Sequence, residues 1–335
     1  MMGDISAKRV VILGKAIAAK AMAMAEEAGV TVIPSNCYLH GEELQAFLGE
    51  HDPDAIILRL GGVDDAAMAA APRLKIIAKH GVGYDTIDID AASKRGIAVA
   101  IATGANAISV AEHALALMFG VARGIAYLDS RMRSGHWDKA DFLGTELSGK
   151  TLGIVGIGAI GLHLATICKA LGMEIVAYDP APASAAERDI RRVESLEQLL
   201  QVSDVVSLHC PLVSATRNMI DAASLTMMKP GAILINTARG GLVDIEALLA
   251  ALEDGHIGGA GLDTFPEEPP VLPEALCRQG KLVVSPHVGA STHEAGARVG
   301  TVAMGQVLDC LAGRAIEARY LVNRAALGSQ VAAEG

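Results

Sequence analysis

Aromatic side chains are scarce in this 335-residue chain: one Trp, five Tyr and four Phe make up 3% of it. Half of the residues (51%) are nevertheless apolar, so the hydrophobic surface is carried by Ala, Val, Ile and Leu, which suits close-packed parallel strands under Ala-rich helices. Basic clusters with interleaved aromatics are also missing. Together with a formal net charge of −10, that argues against a nucleic-acid partner and for small ligands. The longest apolar run, around 114–122, is far too short to span a bilayer. Near the N-terminus, Lys8-Arg9 ahead of an apolar stretch imitates a signal peptide, but Lys15 and Lys20 interrupt it, and a strand followed by a helix is expected instead.

The five cysteines, Cys37, Cys168, Cys210, Cys277 and Cys310, are widely scattered, with no CxxC pair. They read as reduced thiols of a cytoplasmic protein, and no metal is expected. His293-Glu294 opens like a zinc-protease helix, yet Ala297 stands where the second histidine ligand belongs. His209 and Cys210 are adjacent but have no partner at ligand spacing. There is no internal repeat of 20 to 50 residues and no low-complexity linker.

What is present is a dinucleotide fingerprint. Gly156-Ile157-Gly158-Ala159-Ile160-Gly161 follows a short apolar run at 151–155 and opens a helical pattern at 162–171, so strand, turn and helix come in the required order. In that setting the first glycine makes the tight turn, the second lets the backbone approach a pyrophosphate and the third allows close helix–sheet packing. The helix start offers its N–H groups to the phosphates. Asp179, at the end of the next β-like run, is placed to accept hydrogen bonds from ribose hydroxyls and to repel a 2′-phosphate. No Arg or Lys occurs between Asp179 and Arg188, which favours NAD over NADP.

The length suits two domains. The fingerprint begins midway, so a substantial α/β segment precedes it, with β-like runs at 10–13, 30–33, 55–58 and 75–78 and helical patterns at 15–28 and 42–48. A long Ala- and Leu-rich helix is expected over 109–132. Beyond Asp179, runs at 205–208, 232–235, 259–262 and 282–285 complete six strands of a doubly wound sheet. The helical segment from residue 291 returns to the first domain. The expected division is therefore a substrate domain made of 1–103 and 291–335 and a cofactor domain of 104–290.

Three candidates for chemistry stand after strands, where ligands of such sheets bind. Arg239, in NTARGG, has the planar guanidinium that holds a carboxylate bidentately. His287, in SPHVG, is the natural proton donor and acceptor at neutral pH. Glu268, in FPEEPP, is a carboxylate that would orient the ring of His287 if the two were paired.

These residues lie in motifs that resemble the D-isomer-specific 2-hydroxyacid dehydrogenase family. The resemblance runs from about Arg59 to Ala290, through KHGVGYDTID (79–88), SVAEH (109–113), NTARGGLVD (236–244), GLDTFPEEPP (261–270) and SPHVGAST (285–292). It implies a Rossmann cofactor domain inserted into a smaller, flavodoxin-like α/β substrate domain. The activity it implies is reversible hydride transfer between nicotinamide C4 and C2 of a small 2-oxo or 2-hydroxy acid. Arg239, Glu268 and His287 match the family's catalytic three. Glu268 is preferred over Glu267 because the family's glutamate directly precedes a proline. Val82 and Gly83 match the loop whose N–H groups receive the substrate carboxylate. Ala159, Ile160, Asp179, Cys210, Pro211, Thr237, Ala238 and Asp263 match cofactor contacts, together with Gly289 and Ala290 of the SPHVGAST motif, while His113 matches a structural position only.

Arg59 is similar in position to an arginine that phosphoglycerate dehydrogenases use for the substrate phosphate, so 3-phosphoglycerate and hydroxypyruvate or glyoxylate all remain open. The long family forms carry a further C-terminal regulatory domain, for which this chain has no room. Residues 101–106 (IATGAN) depart from the family's proline-containing turn. Two rival activities share the architecture: an NAD-sensing corepressor, and formate or phosphite dehydrogenases. Formate enzymes lack the glutamate that Glu268 matches, and phosphite enzymes carry lysine where Val82 stands. The resemblance also implies a homodimer, with no membrane partner.

Overall fold

Alternation of buried apolar side chains within single strands decides the architecture. In β1 (Arg9–Leu13), Val10 and Ile12 pack on one face while Val11 and Leu13 pack on the other. A strand buried on both faces needs helices on both sides, the arrangement of a parallel sheet with crossover connections. The computed structural model describes residues 5–181, 190–274, 278, 280–327 and 332–333, so Arg188 and Cys277 lie outside the described residues. The backbone divides into two units, Met1–Asn106 with Thr292–Gly335, and Ala107–Ser291.

The first unit holds a five-stranded parallel sheet of β1, β2 (Thr31–Pro34), β3 (Ala55–Leu58), β4 (Ile76–Lys79) and β5 (Ala98–Ile101), in the order β2-β1-β3-β4-β5. β5 adds a strand to the four expected. Helices Ala19–Glu27 and His293–Leu311 cover one face through Ala21, Ala25, Ala303, Met304 and Val307. Gly41–His51, Asp65–Ala69 and Ile89–Lys94 cover the other. Asp64 and Asp88 start two of these helices by accepting from the N–H groups of Ala67 and Ala91, satisfying donors that the helix leaves unpaired. The strand order reverses between the parallel neighbours β1 and β3, and a crevice at the carboxyl ends of such neighbours is where ligands bind. The turn at 101–106 closes without proline: Ala105 N–H donates to Ala102 O, and Arg298 Nε holds Ala105 O at 2.8 Å.

The second unit holds a seven-stranded parallel sheet of β6 (Thr151–Val155), β7 (Glu174–Tyr178), β8 (Arg191–Arg192), β9 (Val205–Leu208), β10 (Ala232–Asn236), β11 (Ile257–Leu262) and β12 (Leu282–Val284). Its order is β12-β11-β10-β9-β6-β7-β8, doubly wound about the junction of β6 and β9. Six strands were expected. The seventh, β8, is two arginines on the sheet edge, with no apolar signal to announce it.

The single helix expected over 109–132 is two, Ala107–Ala122 and Ile125–Arg133, bent by 61° at their junction. Gly124 makes the break, with φ 59° and the ring of Phe142 2.6 Å from where a Cβ would stand. Among the described residues no single helix is long and apolar enough to cross a membrane. Burial pushes the thiol of Cys168 up to about 12 and that of Cys310 to about 11, which keeps both protonated at neutral pH.

Candidate active site

The cofactor turn is built by close approach. A Cβ on Gly156 (φ 89°) would lie 2.8 Å from both His209 C and Cys210 N, so the turn can sit against the end of β9 only without a side chain. A Cβ on Gly161 would lie 2.5 Å from Gly156 O. Gly158 differs, for nothing stands within 4 Å of its missing Cβ. That open space leaves room for a pyrophosphate at the start of the helix Ala159–Ala170, whose N-cap Gly158 provides no capping side chain. The N–H groups of Ala159, Ile160 and Gly161 have no acceptor among the described residues. The donor set therefore fits a dinucleotide.

Asp179 follows β7, and its carboxylate accepts from Ile157 N–H at 2.9 Å and Ala181 N–H at 2.8 Å. It is thus fixed against the glycine turn itself. Arg192, on β8, donates to the carbonyls of Asp179 and Ala181. This arginine lies 13 residues beyond Asp179 in the chain, and the sheet edge folds it back. Cys210 is half-buried and its Sγ stands 3.7 Å from Met219 Sδ. Burial, with a smaller push from the Asp179 carboxylate, raises this thiol to about 11. Pro211 is exposed. His209 is held neutral, burial pressing it down to about 4 while Ser207 Oγ stands 2.8 Å from Nε2.

At the end of β10, Asn236 builds the turn that presents Arg239. Its Oδ1 accepts from Ala238 N–H at 3.0 Å and its Nδ2 donates to Arg239 O at 2.9 Å. The half-buried guanidinium donates from Nη1 to Ala238 O at 2.7 Å. Thr237 beside it is buried, and its hydroxyl has no partner among the described residues. Asn236 belongs to the NTARGG motif, but its structural part was not legible from spacing.

Glu268 and His287 meet directly. His287 Nδ1 is 2.9 Å from Glu268 Oε2, and Glu268 Oε1 accepts from Phe265 N–H at 3.1 Å. The carboxylate therefore accepts from Nδ1–H and leaves Nε2 as the working nitrogen. Both side chains are partly exposed, at 49% and 41%. His287 adopts φ 53°, a left-handed conformation that costs an L-residue about 1–2 kcal/mol.

Asp263, expected near the nicotinamide, is buried and supplies what holds that conformation. Its Oδ1 accepts from Ser285 Oγ–H at 2.6 Å and Val288 N–H at 2.9 Å, and its Oδ2 accepts from Gly289 N–H at 2.8 Å. Its backbone carbonyl accepts from His287 N–H at 2.8 Å. At about 1 kcal/mol net per hydrogen bond, these four outweigh the backbone cost. Burial by itself would raise the carboxyl, but the neighbouring His113 ring and hydrogen bonds from Ser285, Val288 and Gly289 prevail and hold it below the usual range, so it is a carboxylate at neutral pH. Ala290, next in the chain, is exposed.

In the other unit, the N–H groups of Val82 and Gly83 donate to nothing among the described residues. Arg59, at the end of β3, donates from Nη1 to the carbonyls of Lys15 and Ala16 at 2.9 and 2.8 Å. It lines a cavity of about 200 Å³ with Ala16, Ile17, His80 and the start of the helix His293–Leu311. Burial, and then the charge of Arg59, press His80 down to about 4, and its buried Nε2 has no partner among the described residues.

Residues 115–289 match the sequence model described as D-isomer specific 2-hydroxyacid dehydrogenase, NAD binding domain. The chain is 43% identical over 284 residues to D-3-phosphoglycerate dehydrogenase of Mycobacterium leprae, an alignment covering 84% of this chain and 53% of that one. It thus spans about half the length of that relative (53%). It is 47% identical over 241 residues to glyoxylate reductase of Thermococcus litoralis, covering 70% of this chain and 72% of that protein. The holo form of Rhodotorula graminis D-mandelate dehydrogenase superposes with a TM-score of 0.84 at 31% identity, over 95% of this chain and 98% of that one. On these matches the chain belongs to the D-isomer-specific 2-hydroxyacid dehydrogenase family, and its doubly wound sheet is the family's NAD-binding domain.

Proposed function

We propose that this chain interconverts a small 2-oxo acid and its D-2-hydroxy acid. The observation that carries the reading is the 2.9 Å pair of His287 Nδ1 and Glu268 Oε2 at the strand ends of an NAD-binding sheet. NADH, when bound, supplies the hydride for C2, and NAD accepts it in reverse. His287 Nε2 gives its proton to the C2 oxygen as that carbon is reduced, and takes it back in the oxidation. Glu268 holds the ring by Nδ1, so that the nitrogen exchanging the proton is always the same one. Arg239 receives the substrate carboxylate and polarises the neighbouring carbonyl.

Among candidate acids we favour one with a second anionic group, such as 3-phosphoglycerate. Arg59 has Nε and Nη2 without partners among the described residues, beside a cavity that also holds the neutral ring of His80. The test is NADH oxidation with hydroxypyruvate, glyoxylate, pyruvate and phenylpyruvate, and NAD reduction with 3-phosphoglycerate. Arg59→Ala is expected to raise KM for the phosphorylated acid about 10- to 100-fold, the worth of a charged hydrogen bond, and to leave glyoxylate within about twofold. Equal losses on both acids remove the distal-anion reading. No turnover with any acid removes the enzyme reading and restores an NAD-sensing one.

We also propose a homodimer. Ile125, Met132, Trp137 and Leu143 are exposed by 58%, 54%, 74% and 96% within one stretch of the second unit, large apolar side chains of the kind that subunit contacts cover. Trp137 is the chain's single tryptophan. Sedimentation is expected to give a dimer that Leu143→Glu with Trp137→Glu converts to monomer. A monomeric parent protein contradicts this.

A further inference from the structure

His113, in the helix Ala107–Ala122, has no part in the chemistry proposed above, yet its ring is wired to the loop that carries His287. Its Nε2 stands 2.7 Å from Ser285 Oγ and 3.3 Å from Asp263 Oδ1. Proton counting fixes the direction of these bonds. A carboxylate only accepts, so the 2.6 Å contact between Ser285 Oγ and Asp263 Oδ1 consumes the one proton the hydroxyl has. Ser285 Oγ must then accept from His113, which places a proton on Nε2 of the imidazole. The chain runs one way, from His113 Nε2–H to Ser285 Oγ–H to the Asp263 carboxylate.

That carboxylate grips His287 from both sides: Ser285 lies two residues before it, and Val288 and Gly289 follow it. There is no slack in the grip, since a Cβ on Gly289 would lie 2.9 Å from Asp263 Oδ2 and 3.5 Å from His113 Cδ2. We infer that His113 is a positioning residue for His287, acting through the ordered chain His113–Ser285–Asp263 to hold the loop 285–289 in the one conformation that aims the imidazole. The inference rests on the proposed role of His287, but the loop's ordering can be read without it.

The experiment compares His113→Leu, which removes the donor, with His113→Gln, whose Nε2 lies the same number of bonds from Cα and can donate to Ser285 Oγ. Amide hydrogen exchange of the cofactor-free protein is the first readout. His113→Leu is expected to exchange the amides of Val288 and Gly289 about tenfold faster, the loss of roughly one hydrogen bond, with β6 and β10 unchanged, and His113→Gln is expected to restore most of the protection. With a turned-over acid as substrate, kcat is expected to fall about tenfold at unchanged KM for NADH. Ser285→Ala breaks the same chain from its middle and serves if the leucine variant does not fold. Combined with His113→Leu it should add little, as two cuts in one chain do. Unchanged exchange at Val288 and Gly289 in a folded variant overturns the inference, as does a loss that glutamine fails to repair. Should the wild type turn over none of the acids, the proposed function fails while the exchange result still decides this one.

Discussion

His287→Ala is expected to lower kcat about 1,000-fold and to leave the dissociation constant of NADH within about twofold, the effect of losing a general acid–base group worth about 10²–10⁴. The loss corresponds to about 4 kcal/mol in the barrier. Binding survives because the turn that would meet the pyrophosphate, Gly156 to Gly161, and the carboxylate of Asp179 are held by the β6 and β7 strand ends. Neither depends on the imidazole. A collapsed loop would also abolish turnover, so His287→Asn is the control: asparagine tolerates the left-handed backbone at φ 53° better than alanine does, yet it cannot shuttle the proton. Both variants are expected to lose activity alike in steady-state NADH oxidation, with NADH affinity read by fluorescence titration. Turnover within tenfold of wild type in either variant would remove His287 from the chemistry.

Legibility in the sequence tracks how local the cause is. The runs at 151–155 and 205–208 read as strands because burial on both faces demands unbroken apolar residues, and they are strands over those residues. β8 is invisible for the opposite reason: Arg191 and Arg192 pair with Val176 and Ala177 only because the edge of the sheet is open there. The bend at Gly124 was missed because one glycine in an Ala- and Leu-rich stretch weakens the helical pattern without erasing it. For the site, strand-end placement pointed to Arg239, Glu268 and His287. It said nothing of the supports that orient them: Ser285 and Asp263 act through hydrogen bonds that form only once β11 and β12 lie side by side, and Asn236 acts through a turn closed by its own side chain, which strand-end placement does not announce. Asp263 illustrates the limit. Position in a motif marked it as a cofactor contact, while its two oxygens are engaged by three donors of the His287 loop.

Gly240→Ala is expected to destabilise the second unit by about 3 kcal/mol or more, the upper range for forced overpacking. Backbone conformation is not the cause, since Gly240 is absent from the positive-φ residues. The cause is approach: a Cβ there would stand under 3.0 Å from the carbonyl carbon and oxygen of Phe265 and from Pro266 N. No side chain can rotate away, because all three obstacles are backbone. The loop after β11 would have to retreat, yet Phe265 is buried and its N–H holds Glu268 Oε1. Retreat on the other side moves Arg239, whose carbonyl is fixed by Asn236. Either way the distance between Arg239 and the Glu268–His287 pair changes, so residual folded protein should have lost most of its turnover. For a unit of this size the melting temperature should fall by roughly 6–12 °C at 2–4 °C per kcal/mol. Gly158→Ala is the informative contrast. No atom lies within 4 Å of its Cβ position and its φ is −71°, so melting should hardly change, while NADH affinity should fall about tenfold or more because the methyl group occupies the approach of the pyrophosphate. A Gly240→Ala protein that melts with the wild type would mean that the two strand-end loops are not locked together, and the cause of the active-site geometry would have to be sought elsewhere.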